Sequence, residues 1–421
     1  MKRINPQITL FEHECLRTDK GRIRLTQNQL KALQCFYGEK GVPYFTLIHN
    51  GIKFSQFVGV IQVGNTVIEI LPKADKNNNN NAWRKVLIGM LHSVSIFDIH
   101  APSKSNLQLQ TNTILDLYFE LLIQELEYLL HGGLIKKYRN TEGNTNTLKG
   151  SIQFGKHINK NLIHREKFYI SYSTYDKEHL LHSILFKALK LLKHINTNSK
   201  LSSRLNALML DFPKMKDIKI SQSIFDRIVL DRKSEPYKNA LQISRLILLN
   251  YHPDVSQGTN DVLALMFNMN TLWEQFVYAS LRKHKTKGTS LIAQNSRNFW
   301  KPTSGYQSKI KPDIILNKDK GNCVVLDTKW KNLSGKNPSS QDLRQMFVYM
   351  KYYNARKVAL IYPGTESKIM SGTYYQLTNG LIGNEECSTI SSLVNENVWL
   401  WQKQISNQII KWCESNQNEE E

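Results

Sequence analysis

Three observations predict a multidomain α+β fold. The chain has 421 residues, which exceeds the size that one hydrophobic core usually serves. Hydrophobic residues make up 41% of it, enough to fill packed cores, and this excludes global disorder. Their spacing alternates at first, becomes helical in the middle and mixes both periods in the last third. We therefore predict a β-rich N-terminal domain, a helical middle segment and a C-terminal α/β domain.

The N-terminal stretch has the pattern of paired strands. Residues 44–57 and 60–71 are each typical of a β-hairpin, because the turn pairs Asn50-Gly51 and Gly64-Asn65 interrupt runs of apolar and β-branched residues. Five asparagines at 77–81 cannot bury apolar area, so we predict a loop there.

The middle of the chain is mostly helical by period. Residues 114–130 predict a long helix that His131-Gly132-Gly133 ends, and residues 180–195 and 240–249 predict two more. Between them, residues 136–167 hold eight basic and two acidic side chains. Such a segment is either a solvated basic face or a surface that contacts nucleic acid or a partner.

The last third alternates helices and strands. The predicted elements are a helix at 268–284, strands at 310–316 and 323–328, a helix at 341–353 and a strand at 358–362. This α-β-β-α-β order indicates a compact α/β domain. We expect the tryptophans at 399, 401 and 412 to pack a last helix. The predicted segments are 1–140, 141–255 and 256–415, followed by an acidic tail at 416–421.

The amino-acid composition indicates what kind of partner and cellular location to expect. Lysine and arginine number 56 against 35 acidic residues, and the resulting net charge of +21 favours a polyanionic partner. No apolar run is long enough to cross a bilayer and no secretion signal is evident, so we expect a cytoplasmic protein without a membrane partner. Five scattered cysteines, none in a C-x-x-C pair, argue against a disulfide framework or a structural zinc site.

Two strand ends carry the residues with the clearest chemistry. Asp313 follows Pro312 at the start of one apolar strand, and Asp327 ends another. Side chains alternate along a strand, so Lys329 points to the same face as Asp327. Two buried carboxylates repel each other, and Mg²⁺, for which Mn²⁺ can substitute, would neutralise them. The pattern therefore indicates metal-assisted phosphodiester hydrolysis, with Lys329 positioning the nucleophile or offsetting negative charge.

Three further residues are candidates for the same site. Glu274 lies on a helix whose large apolar residues should be buried, so we predict a place in the site, as an additional acid and metal ligand, rather than an exposed helix glutamate. Gln345 and Tyr349 share one helix face and could hydrogen-bond a phosphate or orient a catalytic side chain. The alternative for this pair is a half-buried core tyrosine beside a surface glutamine. Paired histidines at 179 and 182 lack further metal ligands, so we expect ordinary histidines.

These motifs resemble a known nuclease family. Pro312-Asp313 followed by Asp327-Thr328-Lys329 is similar to the PD-(D/E)-x-K motif, and Gln345-x-x-x-Tyr349 resembles the Q-x-x-x-Y motif of its RecB-like branch. More of the chain, roughly residues 60–365, resembles the McrC subunit of McrBC-type restriction systems. The matching segments lie at residues 68–73, 133–138, 148–152, 175–176, 269–274 and 325–330.

The McrC resemblance implies a restriction-endonuclease-like C-terminal domain within a larger machine. Asp313, Asp327 and Glu274 would be its metal ligands, and Lys329, Gln345 and Tyr349 would complete the catalytic set. The N-terminal region, residues 1–140, would dock onto a hexameric AAA+ GTPase, McrB, and stimulate it. That partner would bind GTP and recognise modified cytosine in the DNA substrate. The printed sequence has no G-x-x-x-x-G-K-[ST] loop, which fits a GTP site on another chain of a hetero-oligomer.

Two alternatives remain open at this stage. The chain could be a catalytically idle activator of an AAA+ partner, although an idle site has no need to keep two carboxylates and a lysine on converging strands. It could instead be a stand-alone RecB-like repair nuclease that needs no nucleotide.

Overall fold

The computed structural model divides the chain into two compact units. It describes residues 7–21, 23–73, 80–94, 114–252, 261–285, 288–318, 321–333, 335–376 and 381–415. The first of the two units, which we call the helical unit, comprises Met1–Asn5, Gln62–Asn65 and Asp98–Leu265. The second, the α/β unit, comprises Pro6–Ile61, Thr66–Phe97 and Met266–Glu421. The β-rich N-terminal residues thus belong to the same unit as the last third, although the sequence suggested separate segments.

The N-terminal stretch forms short strands around two helices. They are β1 (Gln7–Phe11), β2 (Cys15–Arg17), α1 (Gln27–Tyr37), β3 (Phe45–Ile48), β4 (Gly51–Phe54), β5 (Phe57–Val63), β6 (Thr66–Leu71) and α2 (Asn80–Ser93). The predicted hairpins are present: β3 pairs with β4 in antiparallel register, and β5 neighbours β6. Asn50 adopts a left-handed φ of 56°, which a tight turn requires and asparagine tolerates. Asn80 and Asn81 begin α2, so the loop prediction is wrong for them, and residues 77–79 lie outside the described part.

The helical unit contains a small sheet that the sequence analysis missed. Its elements are α3 (Ile114–His131), β7 (Lys137–Thr145), β8 (Ser151–Ile152), α4 (Phe154–Asn161), β9 (Phe168–Asp176), α5 (Leu180–Ile195), α6 (Ser199–Asp211), α7 (Gln222–Asp226) and α8 (Lys238–Leu249). The sheet order is β7-β9-β8. Successive side chains of β7 alternate between half-buried and exposed, but no large apolar residue lies on the half-buried face. The alternation of apolar and polar residues that predicts a strand is therefore missing from the sequence. The basic segment thus contains β7, β8 and α4, and its two interpretations stay open.

His182 lies in the core of the helical unit. His182 is fully buried, its Nδ1 lies 2.6 Å from the Lys177 carbonyl oxygen, and its Nε2 lies 3.0 Å from the Tyr237 hydroxyl. Both ring nitrogens of His182 are thus taken up by protein groups. These contacts favour the expected ordinary histidine at position 182.

The last third forms the larger sheet of the α/β unit. After β10 (Tyr251–His252) and β11 (Val262–Asn268) come α9 (Met269–His284), β12 (Leu291–Ala293), β13 (Arg297–Trp300), β14 (Ser308–Ile310), β15 (Ile314–Leu316), β16 (Val324–Thr328), α10 (Ser340–Tyr353), β17 (Lys357–Gly364), β18 (Lys368–Tyr375), β19 (Ile382–Leu393) and α11 (Val398–Glu414). The order of the six-stranded sheet is β12-β15-β16-β17-β19-β18. Strands β16, β17 and β19 run parallel, and the other pairs are antiparallel. The predicted α-β-β-α-β series is present, while β12 to β14 and β18 to β19 were not predicted.

Helices cover both faces of this sheet. Helix α10 packs its Met346 and Tyr349 against Val325 and Leu360 in one core cluster. On the other side, the rings of Trp273 on α9 and Trp401 on α11 stack at 5.3 Å between centroids. Trp401 and Trp412 are buried, which confirms their predicted packing role, whereas Trp399 is 48% exposed. No helix in the described part of the chain is both long and apolar enough to cross a membrane.

Candidate active site

The two predicted aspartates meet where β15 and β16 pair. Asp313 immediately precedes β15, and β15 runs antiparallel to β16 with Ile314 opposite Leu326. Asp313 Oδ2 accepts hydrogen bonds from the backbone N–H and the hydroxyl of Thr328, both at 2.7 Å. Thr328 therefore fixes the Asp313 carboxylate against the end of β16. This brings it close to Asp327, the preceding residue on that strand.

Asp327 is the most deeply buried of the three candidate carboxylates. Its side chain is almost fully buried, and Lys329 Nζ lies 2.8 Å from its Oδ2. Burial and the neighbouring negative charge of Asp313 raise the pKa of Asp327 to about 7, against the opposing effect of Lys329. A close carboxylate pair with one fully buried member is stabilised by an added cation.

Lys329 links the strand to helix α10. Its Nζ donates to Gln345 Oε1 at 3.1 Å while lying beside Asp327. Burial alone would lower the pKa of Lys329, but the charge of Asp327 and its hydrogen bond outweigh burial and raise it. The lysine is therefore held as a cation at the position where Asp313 and Asp327 converge.

Gln345 and Tyr349 form a chain of hydrogen bonds on one face of α10. Gln345 Nε2 donates to the Tyr349 hydroxyl at 2.8 Å and approaches Asp327 Oδ1 at 3.4 Å. The Tyr349 hydroxyl donates in turn to the Lys311 carbonyl oxygen at 3.2 Å. Burial raises the pKa of Tyr349 to about 12, so the phenol stays a donor at neutral pH. Of the two expected roles, these contacts favour orientation of catalytic side chains.

Glu274 reaches the site from the side of Asp313. Burial and the charge of Asp313 raise the pKa of Glu274. Its Oε1 accepts from Gln294 Nε2 at 2.6 Å, and Gln294 Oε1 accepts from Lys311 Nζ at 2.8 Å. The sequence analysis missed Gln294 and Lys311. Gln294 has a left-handed φ of 50°, which non-glycine residues rarely adopt and no sequence motif signals.

The donor set suits a hard divalent cation. Asp313 and Asp327 supply carboxylate oxygens, and Mg²⁺ needs only one or two of these because it keeps several waters. Within the residues that the structure describes, no three aspartate, glutamate, histidine or cysteine side chains form a ready-made metal cluster. The residues therefore fit a water-rich Mg²⁺ site on the aspartate pair, with Glu274 at its edge.

Site geometry alone does not identify a family, whereas comparisons with known proteins do. A family model described as "McrBC 5-methylcytosine restriction system component" matches residues 52–363. A solved assembly of Thermococcus gammatolerans McrB AAA+ hexamers with bound McrC contains a similar chain, with 18% identity, a TM-score of 0.73 and coverage of 96% of this chain and 100% of that one.

A second similar structure comes from the same organism. The cryo-EM structure of the Thermococcus gammatolerans McrBC complex has a chain with 20% identity and a TM-score of 0.50, covering 66% of this chain and 87% of that one. No curated protein sequence matches this chain. At such identities the solved structures show a shared fold, whereas the family match spans most of the chain and every candidate site residue. The chain therefore belongs to the family of McrBC 5-methylcytosine restriction system components.

Proposed function

We propose that the chain is an McrC-type, Mg²⁺-dependent DNA endonuclease subunit with a PD-(D/E)xK nuclease domain in its last third. The observation that carries this proposal is the convergence of Asp313, Asp327 and Lys329 at the β15–β16 edge. The parallel β16–α10–β17 crossover supports the domain assignment, because it holds the strand that carries Asp327 within a rigid sheet, next to the start of β15 where Asp313 lies. The net charge of +21 supports a polyanionic substrate.

Each residue has a distinct task in phosphodiester hydrolysis. Asp313 and Asp327 would hold Mg²⁺, which supplies Lewis acidity and a more acidic bound water. Lys329 offsets negative charge on the phosphate or positions the attacking water. Gln345 and Tyr349 hold Lys329 and Asp327 in register through their hydrogen-bond chain. Glu274 serves as an additional acid beside Asp313.

The partner is proposed to be a McrB-like AAA+ GTPase hexamer. The similar solved chain comes from an assembly described as McrB AAA+ hexamers with bound McrC. GTP would bind to that partner, and residues 1–140 would dock on it and stimulate GTP hydrolysis. Such a complex acts on DNA in the cytoplasm, and modified cytosine would be recognised by the partner.

The decisive experiment compares the chain alone with the chain plus its GTPase partner. With partner, GTP and Mg²⁺, plasmid DNA should be cut, and EDTA should stop the cutting. Cleavage by the isolated chain without nucleotide would instead support a stand-alone repair nuclease. Stimulation of the GTPase without any cleavage would support a catalytically idle activator.

Replacing Tyr349 by phenylalanine should slow cleavage about fivefold, since one oriented hydrogen bond contributes about 1 kcal/mol. The ring and its packing in the core cluster are kept, so the melting temperature should change little. Single-turnover cleavage by the complex measures the effect. Tyr374→Phe is the matched control, because that hydroxyl donates to the Leu343 carbonyl oxygen away from Asp327. Equal losses in both variants would contradict the orienting role.

A further inference from the structure

A two-stranded hairpin projects beside the candidate active site. Strands β13 and β14 pair only with each other within the described residues, with Arg297 opposite Ile310 and Asn298 opposite Lys309. We call residues 297–310 the aromatic hairpin. It leads through Lys311 and Pro312 directly into Asp313, so its position is fixed relative to the two aspartates.

The base of the aromatic hairpin is anchored on α10. Arg297 Nη1 donates to the Tyr352 carbonyl oxygen at 2.6 Å, and its guanidinium lies 4.7 Å from the centre of the Tyr353 ring. The rings of Phe299 and Tyr352 are 5.2 Å apart. These contacts attach the hairpin to the helix that carries Gln345 and Tyr349. The hairpin is thus a fixed projection from the site rather than a separate element.

The outer part of the hairpin exposes large aromatic side chains. Trp300 is 60% exposed, and Tyr306 is 99% exposed. Exposed aromatic residues next to a polar cleft mark binding surfaces, because their rings gain free energy on contact with a ligand. Residues 295–312 contain four lysines or arginines and no acidic residue. Aromatic rings interleaved with cations suit a polynucleotide better than they suit a neutral protein surface.

An open groove runs from this hairpin to the candidate site. It has a volume of about 490 Å³ and is lined by Lys309, Lys311 and Arg344 together with Gln345 and Tyr349. Lys309 and Lys311 line it from the side of the hairpin, whereas Arg344 lines it from α10, together with Gln345 and Tyr349. The groove thus places cations, which attract backbone phosphates, next to two residues of the candidate site. The groove supplies charge, and the hairpin supplies flat apolar rings.

We propose that the aromatic hairpin and its groove bind an unpaired stretch of the DNA strand next to the scissile phosphate. Trp300 and Tyr306 stack on exposed bases, while Lys309 and Arg344 contact backbone phosphates. Stacking requires an accessible base face, which fully paired DNA does not offer, and so the occupant is DNA with unpaired bases. This inference rests on the proposed nuclease function and adds the part of the substrate that the hairpin contacts.

Binding should be measured with the full chain in EDTA, so that no DNA is cut. The probes are a fluorescent duplex with a central unpaired stretch, which we call the gapped duplex, and the fully paired duplex of the same sequence. Trp300→Ala and Tyr306→Ala should each weaken binding of the gapped duplex by about 5- to 100-fold and leave the paired duplex nearly unchanged. Trp399→Ala is the matched control, since Trp399 is 48% exposed on α11 of the same unit.

The cations give an independent readout. Lys309→Gln should lower the slope of log Kd against log salt by about one, whereas Lys368→Gln, an exposed lysine on β18, should leave the slope unchanged. Unaltered binding of gapped DNA by both aromatic variants would overturn the proposal, as would equal weakening for the two duplexes. Loss of GTPase stimulation with unchanged DNA binding would show that the hairpin docks on a protein and would also overturn it.

Cleavage in the complete complex separates this inference from the proposed function. If the wild type cuts DNA normally and the hairpin variants bind DNA normally, the DNA-binding role of the hairpin is refuted while the nuclease function stands. Cutting by Asp327→Asn at the wild-type rate would refute the nuclease site, whatever the hairpin variants do. Support for the hairpin requires a raised KM in Trp300→Ala with kcat close to that of the wild type.

Discussion

Asp327→Asn is expected to lower DNA cleavage by about a thousandfold or more, because a metal ligand contributes several kcal/mol of transition-state stabilisation. The substitution keeps the size and shape of a side chain that is only 2% exposed. It also removes a buried negative charge that lies beside the half-buried carboxylate of Asp313. The melting temperature without metal should therefore not fall, while stimulation of the GTPase partner should remain.

The measurement is single-turnover cleavage by the complex, with thermal unfolding of the chain recorded in EDTA and in Mg²⁺. Mg²⁺ should raise the melting temperature of wild type and have little effect on Asp327→Asn. Asp342→Asn is the control, because Asp342 is also buried and also pairs with a lysine, Lys331 at 2.6 Å, but is not a proposed metal ligand. Its loss should cost less than about tenfold in cleavage. A full thousandfold loss in both variants would show a general electrostatic effect rather than a metal ligand.

The candidate site could be predicted from sequence because its residues follow strand and helix periods. Asp327 and Lys329 share a strand face by alternation, and Gln345 and Tyr349 share a helix face by a spacing of four. The structure brings all four together. Their catalytic roles remain predictions, since convergence does not itself show catalysis.

Other parts of the site were beyond sequence reasoning for physical reasons. Gln294 depends on a left-handed backbone conformation, and Lys311 acts through a long flexible side chain. The contact between Trp330 Nε1 and Glu12 Oε1, at 2.8 Å, joins residues 318 positions apart in the chain. Burial raises the pKa of Glu12, and the Lys73 N–H and Trp330 donate to it. Only the folded α/β unit reveals that the residue after Lys329 is held by the N-terminal stretch.

Prediction of the strands from the sequence was limited in a similar way. Strands that are buried and rich in apolar residues, such as β16, were predicted, whereas β7 and the aromatic hairpin were not, because polar residues occupy both of their faces. The spacing of apolar residues along the sequence indicates which side chains are buried, but not which strands are hydrogen-bonded to each other. Sheets that lie at a surface are therefore the elements that such patterns miss, and in this chain they include the hairpin beside the candidate site.

Lowering the pH from 7 to about 4 is expected to destabilise the helical unit by up to about 3 kcal/mol through His182. Burial, reinforced by the charges of His179 and Lys177, lowers the pKa of His182 to about 4. The unfolded chain takes up a proton near pH 6.5, whereas the folded chain resists it until about pH 4. The unfolded state thus binds more protons in this window, and the free energy of unfolding falls as the pH falls through it.

His182→Gln should remove most of this pH dependence. A glutamine can still donate to the Lys177 carbonyl oxygen and accept from the Tyr237 hydroxyl, the two groups that His182 contacts. It carries no titrating ring, so its unfolding free energy should fall less steeply below pH 6.5 than that of wild type. Hydrogen exchange of the α5 amides across this range measures the local stability, because α5 carries His182. His164→Gln is the control, since that side chain is 60% exposed and should leave the slope unchanged. A slope that persists in His182→Gln would place the acid-sensitive group elsewhere in the unit.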